Sequence, residues 1–294
     1  MSSRTICIAV TGSTGVLGRT LLNHWSTSNQ HVQFVPFKGD IQNYGELDTW
    51  LSNIGKLDGL IHLAAIVPTN QVDEDPLKAF RVNTLGTLNL LEICRLRFAK
   101  DTCPWIFLAS TSHVYASSSE TQFVSETSSL NPVSTYGVTK AQGDAWADVY
   151  RNKYNLPVCT GRIFSYSAPD QAVSFFIPSL LQKIRDAPVD ARLEIRGLDG
   201  TRDFITVQQI IEAIQVLFER KAVGVFNVGT GVAVKLLDIA QTVREKLGRT
   251  DVVIVSTGTD THHLAANVAK LNDAGFRATF DMNTLLDSFF TIST

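Results

Sequence analysis

Tyr136 and Lys140 lie four residues apart in STYGVTKAQGD, a spacing that sets both side chains on one face of a helix. A phenol titrates near ~10 in water, too high to exchange protons readily at neutral pH. An ammonium one helical turn away favours the phenolate and lowers that value, which suits the phenol to acid–base work. Near the start of the chain, TGSTGVLG supplies Gly12, Gly15 and Gly18 directly after an apolar run. The first permits a tight turn. The second lets backbone N–H groups approach a pyrophosphate at a helix N-terminus, and the third lets that helix pack close to a sheet. Each motif alone is weak: Tyr-x-x-x-Lys is a common coincidence, and a glycine-rich turn reports only a phosphate. Together, about one nucleotide-binding domain apart, they pair a dinucleotide site with an activated phenol. That is the minimum set for moving a hydride to or from a carbonyl.

Further positions complete the two ends of such a site. Thr14, Val16 and Leu17 accompany Gly12 and Gly15 where the turn meets the helix. The next apolar run, HVQFVPF, leads into Lys38-Gly39-Asp40-Ile41. An acid at that strand end holds a ribose 2′-hydroxyl, whereas a base accommodates a 2′-phosphate. Lys38, with Arg19 nearby, therefore points to NADP(H); NAD(H) stays open, because Lys38 also reads as a solvated surface lysine. Asp40 and Ile41 are positioned to cup an adenine edge. Leu63-Ala64-Ala65 ends a third strand, where small side chains let a cofactor lie on the backbone. At the end of a fourth strand, ASTSHVY offers Ser110, Thr111 and Ser112 as hydroxyls to hold a substrate oxygen; strand-end capping is the alternative for each.

These residues need a scaffold that brings strand ends together. Apolar runs alternate with helical patterns from the first residues: strands at 5–11, HVQFVPF, DGLIHLAA, WIFLAS and LPVCTGRI, with helices through about 28 and over 43–54, 76–99 and 134–154. Asp75-Pro76 reads as a cap followed by Pro in the first turn. Near-continuous apolar strands alternating with helices predict an α/β fold: a Rossmann-type, doubly wound parallel sheet whose strand C-terminal ends share one edge. The dinucleotide-binding domain is expected over 1–164. After that, strands shorten and helices at 206–219 and 235–247 dominate, so 165–294 reads as a smaller, mostly helical substrate lobe. VGVFNVGT at 223–230 returns a sixth strand to the sheet.

The chain has 294 residues, 44% hydrophobic and 18% charged, with a formal charge of -2. No basic field is available for a nucleic-acid backbone. No apolar stretch is long enough to span a bilayer, and the apolar run near the N-terminus is too short for a signal peptide. Cys7, Cys94, Cys103 and Cys159 show neither CxxC spacing nor a nearby His, so no metal site is expected and a reducing, cytoplasmic setting is. His262-His263 reads as a surface pair.

TGSTGVLG, HLAA, RVNTLGTLNLLE, LASTSHVY, NPVSTYGVTKAQGD, GRIF, TRDFITVQQIIEAI and FNVGTG occur in an order that resembles the extended short-chain dehydrogenase/reductase family, in its nucleotide-sugar epimerase, dehydratase and reductase group. The resemblance covers nearly the whole chain. It implies Thr111 as the catalytic hydroxyl, Tyr136 as acid/base and Lys140 as its partner. It further implies Asn83 beside the active site, Arg202 on a nucleotide-sugar diphosphate, and a homodimer through helices 76–99 and 134–154. The departures narrow the activity. Dehydratases of this group carry an Asp-Glu pair after the catalytic Thr, where this chain has Ser112-His113; His113 is a candidate sugar contact. An acid is missing after the second strand, and Ser165 stands where the group has an Asn. These features are similar to NADP(H)-dependent reductases of nucleotide-linked 4-keto-6-deoxy sugars. The alternatives are an NAD-dependent 4-epimerase and a non-catalytic dinucleotide sensor.

Overall fold

Each apolar run becomes a strand, and each amphipathic stretch returns along one face of the resulting sheet. The computed structural model describes residues 5–27, 31–67, 69–98, 102–116, 120–258 and 263–290. β1 (Ile6–Thr11), α1 (Val16–Thr27), β2 (Val32–Pro36), α2 (Tyr44–Ser52) and β3 (Gly59–His62) open the chain. α3 (Thr69–Glu74), α4 (Pro76–Ala79) and α5 (Gly86–Arg97) lead to β4 (Trp105–Thr111), β5 (Gln122–Val124), α6 (Thr135–Tyr154) and β6 (Val158–Ile163). Beyond them lie α7 (Phe176–Asp186), β7 (Arg192–Arg196), β8 (Thr201–Arg202), α8 (Val207–Glu219), β9 (Gly224–Val228) and β10 (Val234–Lys235). The chain continues through α9 (Leu236–Lys246), β11 (Val253–Thr257), β12 (His263–Ala266), α10 (Ala269–Asp273) and α11 (Met282–Asp287).

Six strands form one parallel sheet in the order β2-β1-β3-β4-β6-β9. The chain first winds outward from β1 to β2, then crosses back to β3, so β1 and β3 flank the switch point where such sheets bind ligands. α1 and α8 cover one face around Trp25, Phe107 and Phe218. Trp25 and Trp105 each meet Phe218 edge-on at 5.5 Å between ring centroids. Leu47, Leu90, Leu91 and Ala147, from α2, α5 and α6, cover the other face. The residues from 165 onward, joined by β5 from earlier in the chain, add a four-stranded sheet, β10-β8-β12-β5, and by themselves a two-stranded one, β11-β7. Ile177, Leu180, Ile239 and Val243 of α7 and α9 form a separate apolar cluster there.

Four details depart from the sequence reading. The helix expected over 76–99 is interrupted: after α4 it widens into a π-helical turn, Phe80–Leu85, before α5. Helix α8, read as part of the lobe, packs instead against α1 on the main sheet, because its Ile210, Ile211, Ile214 and Leu217 are fully buried there. His263, read as a surface residue, is half-buried at the start of β12 and hydrogen-bonds Thr201 Oγ1 through Nδ1 at 3.1 Å; His262 lies outside the described residues. Helix α7 has no counterpart in the sequence reading, since Pro178 looks like a breaker although a first turn tolerates it.

Candidate active site

The chain leaves β1 through Gly12, whose φ of +73° favours glycine, and a Cβ there would lie 2.5 Å from the Ala64 backbone nitrogen. A Cβ on Gly18 would lie 2.2 Å from the Gly12 carbonyl oxygen. The turn therefore sits hard against the end of β3, and α1 starts immediately beneath it. The first N–H groups of α1 have no intrahelical partners and carry the positive end of the helix dipole, an anion site. Gly12, Gly15, Val16 and Leu17 line a cavity of about 630 Å³ together with Leu63 and Ala65 of the β3 exit. These backbone donors fit the pyrophosphate of a dinucleotide.

The same cavity reaches Thr111, Tyr136 and Lys140. Thr111 ends β4, and its Oγ1 accepts the His113 N–H at 3.3 Å. Ser134 caps α6 by accepting the Gly137 N–H at 3.0 Å. A Cβ on Gly137 would lie 2.4 Å from the His113 carbonyl, so α6 begins in direct contact with the turn that follows β4. That approach lets the Tyr136 and Thr111 hydroxyls hydrogen-bond. The His113 ring stands edge-on to Tyr136, 5.8 Å between centroids.

Burial pushes the Tyr136 phenol above its usual range, the neighbouring Tyr166 phenol adds to the effect, and the Thr111 hydrogen bond opposes it. This reverses the lowering expected from Lys140, because burying the phenol itself counts for more than the lysine. Burial brings its ammonium down to about 8, with Asp144 opposing. Asp144 lies one turn further along α6 and accepts Arg162 Nε at 2.9 Å, both side chains being 4% exposed, which makes this a buried ion pair. Arg162 also donates to the Tyr115 hydroxyl at 2.9 Å and the Glu126 carbonyl at 3.0 Å. The lysine thus lies in the field of a fixed carboxylate held by an arginine of β6.

The other expected positions divide. Ser110, Ser112, His113 and Arg202 line the cavity; Arg202 is half-buried, and its guanidinium donates to the Thr201 carbonyl at 2.9 Å. Thr14 is exposed and does not line the cavity, its carbonyl accepting from Arg19. Ala64 packs behind the glycine turn. Lys38 is exposed on a separate groove beside Phe37 and Trp50. Asp40 accepts from the Gln42 backbone and side-chain nitrogens at 3.0 Å each, and Ile41 is buried beneath Gly86. Asn83, read as a cofactor contact, is 1% exposed and not at the cavity surface. Its amide holds the Ile66 N–H at 2.8 Å, the Ile66 carbonyl at 3.0 Å and Thr139 Oγ1 at 3.1 Å, reached from the π-helical turn. It ties the β3 exit to α6. Sequence reading missed Tyr166, Ser167, Asp170, Phe175 and Phe204 in the cavity wall. Asp170 pairs with Arg19 of α1 across the cavity. Among the described residues no group of three or more His, Cys, Asp or Glu could hold a metal ion, and no helix is long and apolar enough to cross a membrane.

A glycine cradle at a parallel-sheet switch point, facing a Thr–Tyr–Lys set, defines a class of nucleotide-dependent carbonyl chemistry. The family model for GDP-mannose 4,6 dehydratase matches residues 8–287; the chain belongs to that family of enzymes, within the extended short-chain dehydrogenases/reductases. It is 28% identical over 240 residues to a GDP-6-deoxy-D-mannose reductase of Pseudomonas aeruginosa, spanning 79% of this chain and 77% of that one. To a dTDP-D-glucose 4,6-dehydratase of Dictyostelium discoideum it is 27% identical over 232 residues, 75% of this chain but only 52% of that protein. The fold is shared with RMD from Pseudomonas aeruginosa, solved with NADPH (TM-score 0.84, 22% identity, 97% of both chains). It is shared also with a Thermus thermophilus UDP-glucose 4-epimerase solved with NAD (TM-score 0.82, 21% identity, 97% and 99%).

Proposed function

We propose that the protein is an NADP(H)-dependent reductase of a nucleotide-linked 4-keto-6-deoxy sugar. The observation that carries this reading is the composition of the cavity around Tyr136. Ser112 and His113 follow Thr111, and among the described residues lining the cavity Asp170 is the single carboxylate, already paired with Arg19. Eliminating water from a sugar needs an acid for the leaving oxygen and a base for the neighbouring C–H. Reducing a carbonyl needs one proton donor and stabilisation of the developing alkoxide. A nicotinamide dinucleotide bound at residues 12–18 supplies the hydride. Tyr136, kept protonated by burial, gives its proton to the sugar oxygen. Thr111 hydrogen-bonds that oxygen, Lys140 holds its positive charge beside the phenol and within reach of a ribose, and Arg202 takes the diphosphate. Lys38, exposed and without an ion pair among the described residues, is available to a 2′-phosphate, and the relative solved with NADPH favours the same choice.

The test is a panel of GDP-, UDP- and dTDP-linked 4-keto-6-deoxy hexoses with NADPH. Stoichiometric loss of NADPH absorbance with one of them is expected, abolished by Tyr136→Phe. Epimerisation of a nucleotide hexose without net NADPH loss overturns the reading in favour of a 4-epimerase with recycled NAD. Dinucleotide binding without turnover of any substrate leaves a sensor. The reading extends to a homodimer. Leu77, Phe80, Val138, Trp146 and Val149 leave an apolar surface on α4, the π-helical turn and α6, 39–69% exposed, and it is the paired-helix surface that a second copy would cover. A cytoplasmic setting is supported by four free thiols and no disulfide among the described residues.

A further inference from the structure

Tyr166 has no assigned part in the chemistry above, yet it lines the same cavity as Thr111, Tyr136 and Arg202. It follows β6 by three residues, and the residue just before it is held by two backbone hydrogen bonds. Ser165 N–H donates to the Asp203 carbonyl at 3.0 Å, and the Ile205 N–H donates to the Ser165 carbonyl at 2.9 Å. Its ring packs as a half-buried side chain against the apolar cluster of the main sheet. The phenol lies close enough to Tyr136 to raise that residue's titration, and its own is pushed up to about 12 by burial. It is therefore a protonated hydrogen-bond donor throughout the neutral range. Buried tyrosine hydroxyls usually find a partner. This one makes no hydrogen bond among the described residues, whereas Tyr115 and Tyr150 reach Asn227 and Glu92, each at 2.6 Å. A ring needed only for packing would be served by Phe.

The sheet order tells substrate from cofactor. The glycine turn leaves β1, Thr111 leaves β4, and Tyr166 follows β6, on the far side of β4 from the turn. Directly before Tyr166 the chain pairs through Ser165 with Phe204, two residues from Arg202. By strand order Tyr166 lies on the side of the reacting centre away from the dinucleotide cradle and next to the lobe. We propose that Tyr166 is a substrate-contacting residue, donating a hydrogen bond to a sugar oxygen adjacent to the carbon served by Tyr136. The ligand class is a hexose with a carbonyl or hydroxyl acceptor there. This inference rests on the reading of the cavity as a nucleotide-sugar site.

Tyr166→Phe keeps the ring and removes only the donor. With the keto sugar that the wild type reduces, KM should rise roughly tenfold, about the worth of one hydrogen bond. kcat should change less, and NADPH affinity and melting temperature should stay unchanged. Calorimetric titration of the NADPH complex with unreactive GDP-, UDP- and dTDP-hexoses gives a second readout independent of turnover: the hexose bound by the wild type should bind the variant about tenfold more weakly. An unchanged KM with unchanged hexose affinity, or a loss confined to NADPH, overturns the inference and leaves the reductase reading standing. Weakened hexose binding in a protein that reduces no keto sugar supports Tyr166 as a contact and overturns the reductase reading alone.

Discussion

At the scale of single residues, the titration most altered by its surroundings toward the neutral range is that of Lys140. Burial holds its ammonium at about 8, against 10.5 for an ordinary lysine, and Asp144 is what keeps it from falling further. Below that value Lys140 is charged and above it neutral. If the charge orients cofactor and phenol, kcat/KM for reduction should be flat at neutral pH and fall as the pH passes about 8. Asp144→Asn removes the supporting carboxylate, so a pH–rate profile should show the same limb displaced to lower pH; an undisplaced limb would separate the limb from Lys140. The Tyr136–Lys140 spacing was legible in the sequence because both residues sit on one helix. Asp144 lies on the same helix, but its partner Arg162 comes from β6, and no local pattern pairs them. Tyr166 was hidden for a related reason: a tyrosine after a strand is unremarkable until the fold puts its hydroxyl in a cavity with nothing to bond. Lys38 and Asp40 show the converse. Their place after β2 was readable, but their exposed side chains do not join the main cavity.

At the scale of elements, the site depends on close backbone approach. Gly18 lets α1 rest on the turn, and a methyl group there would sit 2.2 Å from a backbone oxygen that cannot swing aside. Gly18→Ala should weaken NADPH binding at least tenfold, with far less effect on nucleotide-hexose affinity; fluorescence titration of the cofactor checks it. A second joint is His62 at the end of β3. Its Nδ1 pairs with Thr11 Oγ1 at 2.6 Å and its Nε2 with Thr87 Oγ1 at 3.1 Å, linking β1, β3 and α5. Burial, aided by the Lys140 charge, lowers its value from 6.5 to about 3. The unfolded chain thus binds a proton near 6.5 that the folded chain refuses until about 3, so stability is full above 6.5 and is lost as pH falls between these values. The melting temperature should decline through that window, and His62→Gln should flatten the decline even if it lowers the plateau. The strands and most helices were readable because their apolar patterns are long. The π-helical turn at 80–85 was not, since the pull on Asn83 comes from Ile66 and Thr139, neither of them a sequence neighbour.

At the scale of the whole molecule, the alternating pattern was enough to lay out the parallel sheet and the edge at which ligands bind, but not the division between sheet and lobe. Helix α8 lies beyond the expected boundary at 164 and still belongs to the sheet by its buried face. The exposed apolar residues of α4 and α6 carry the prediction for assembly. Trp146→Glu, at a position 39% exposed, should convert a dimer to a monomer by light scattering while leaving the fold intact; a wild-type monomer at micromolar concentration would sink the dimer.

Asp203 is fully buried and accepts four hydrogen bonds: the Thr230 N–H at 2.8 Å, Thr230 Oγ1 at 2.6 Å, the Gly231 N–H at 2.8 Å and the Ala266 N–H at 3.1 Å. Those donors belong to the exit of β9, in the main sheet, and to β12, in the lobe. One carboxylate therefore bridges the main six-stranded sheet and the four-stranded sheet, a link that should make them open as one cooperative unit rather than as two foldons. The protein should unfold in one transition, and the amides of Gly231 and Ala266 should exchange with solvent as slowly as those of the central strands.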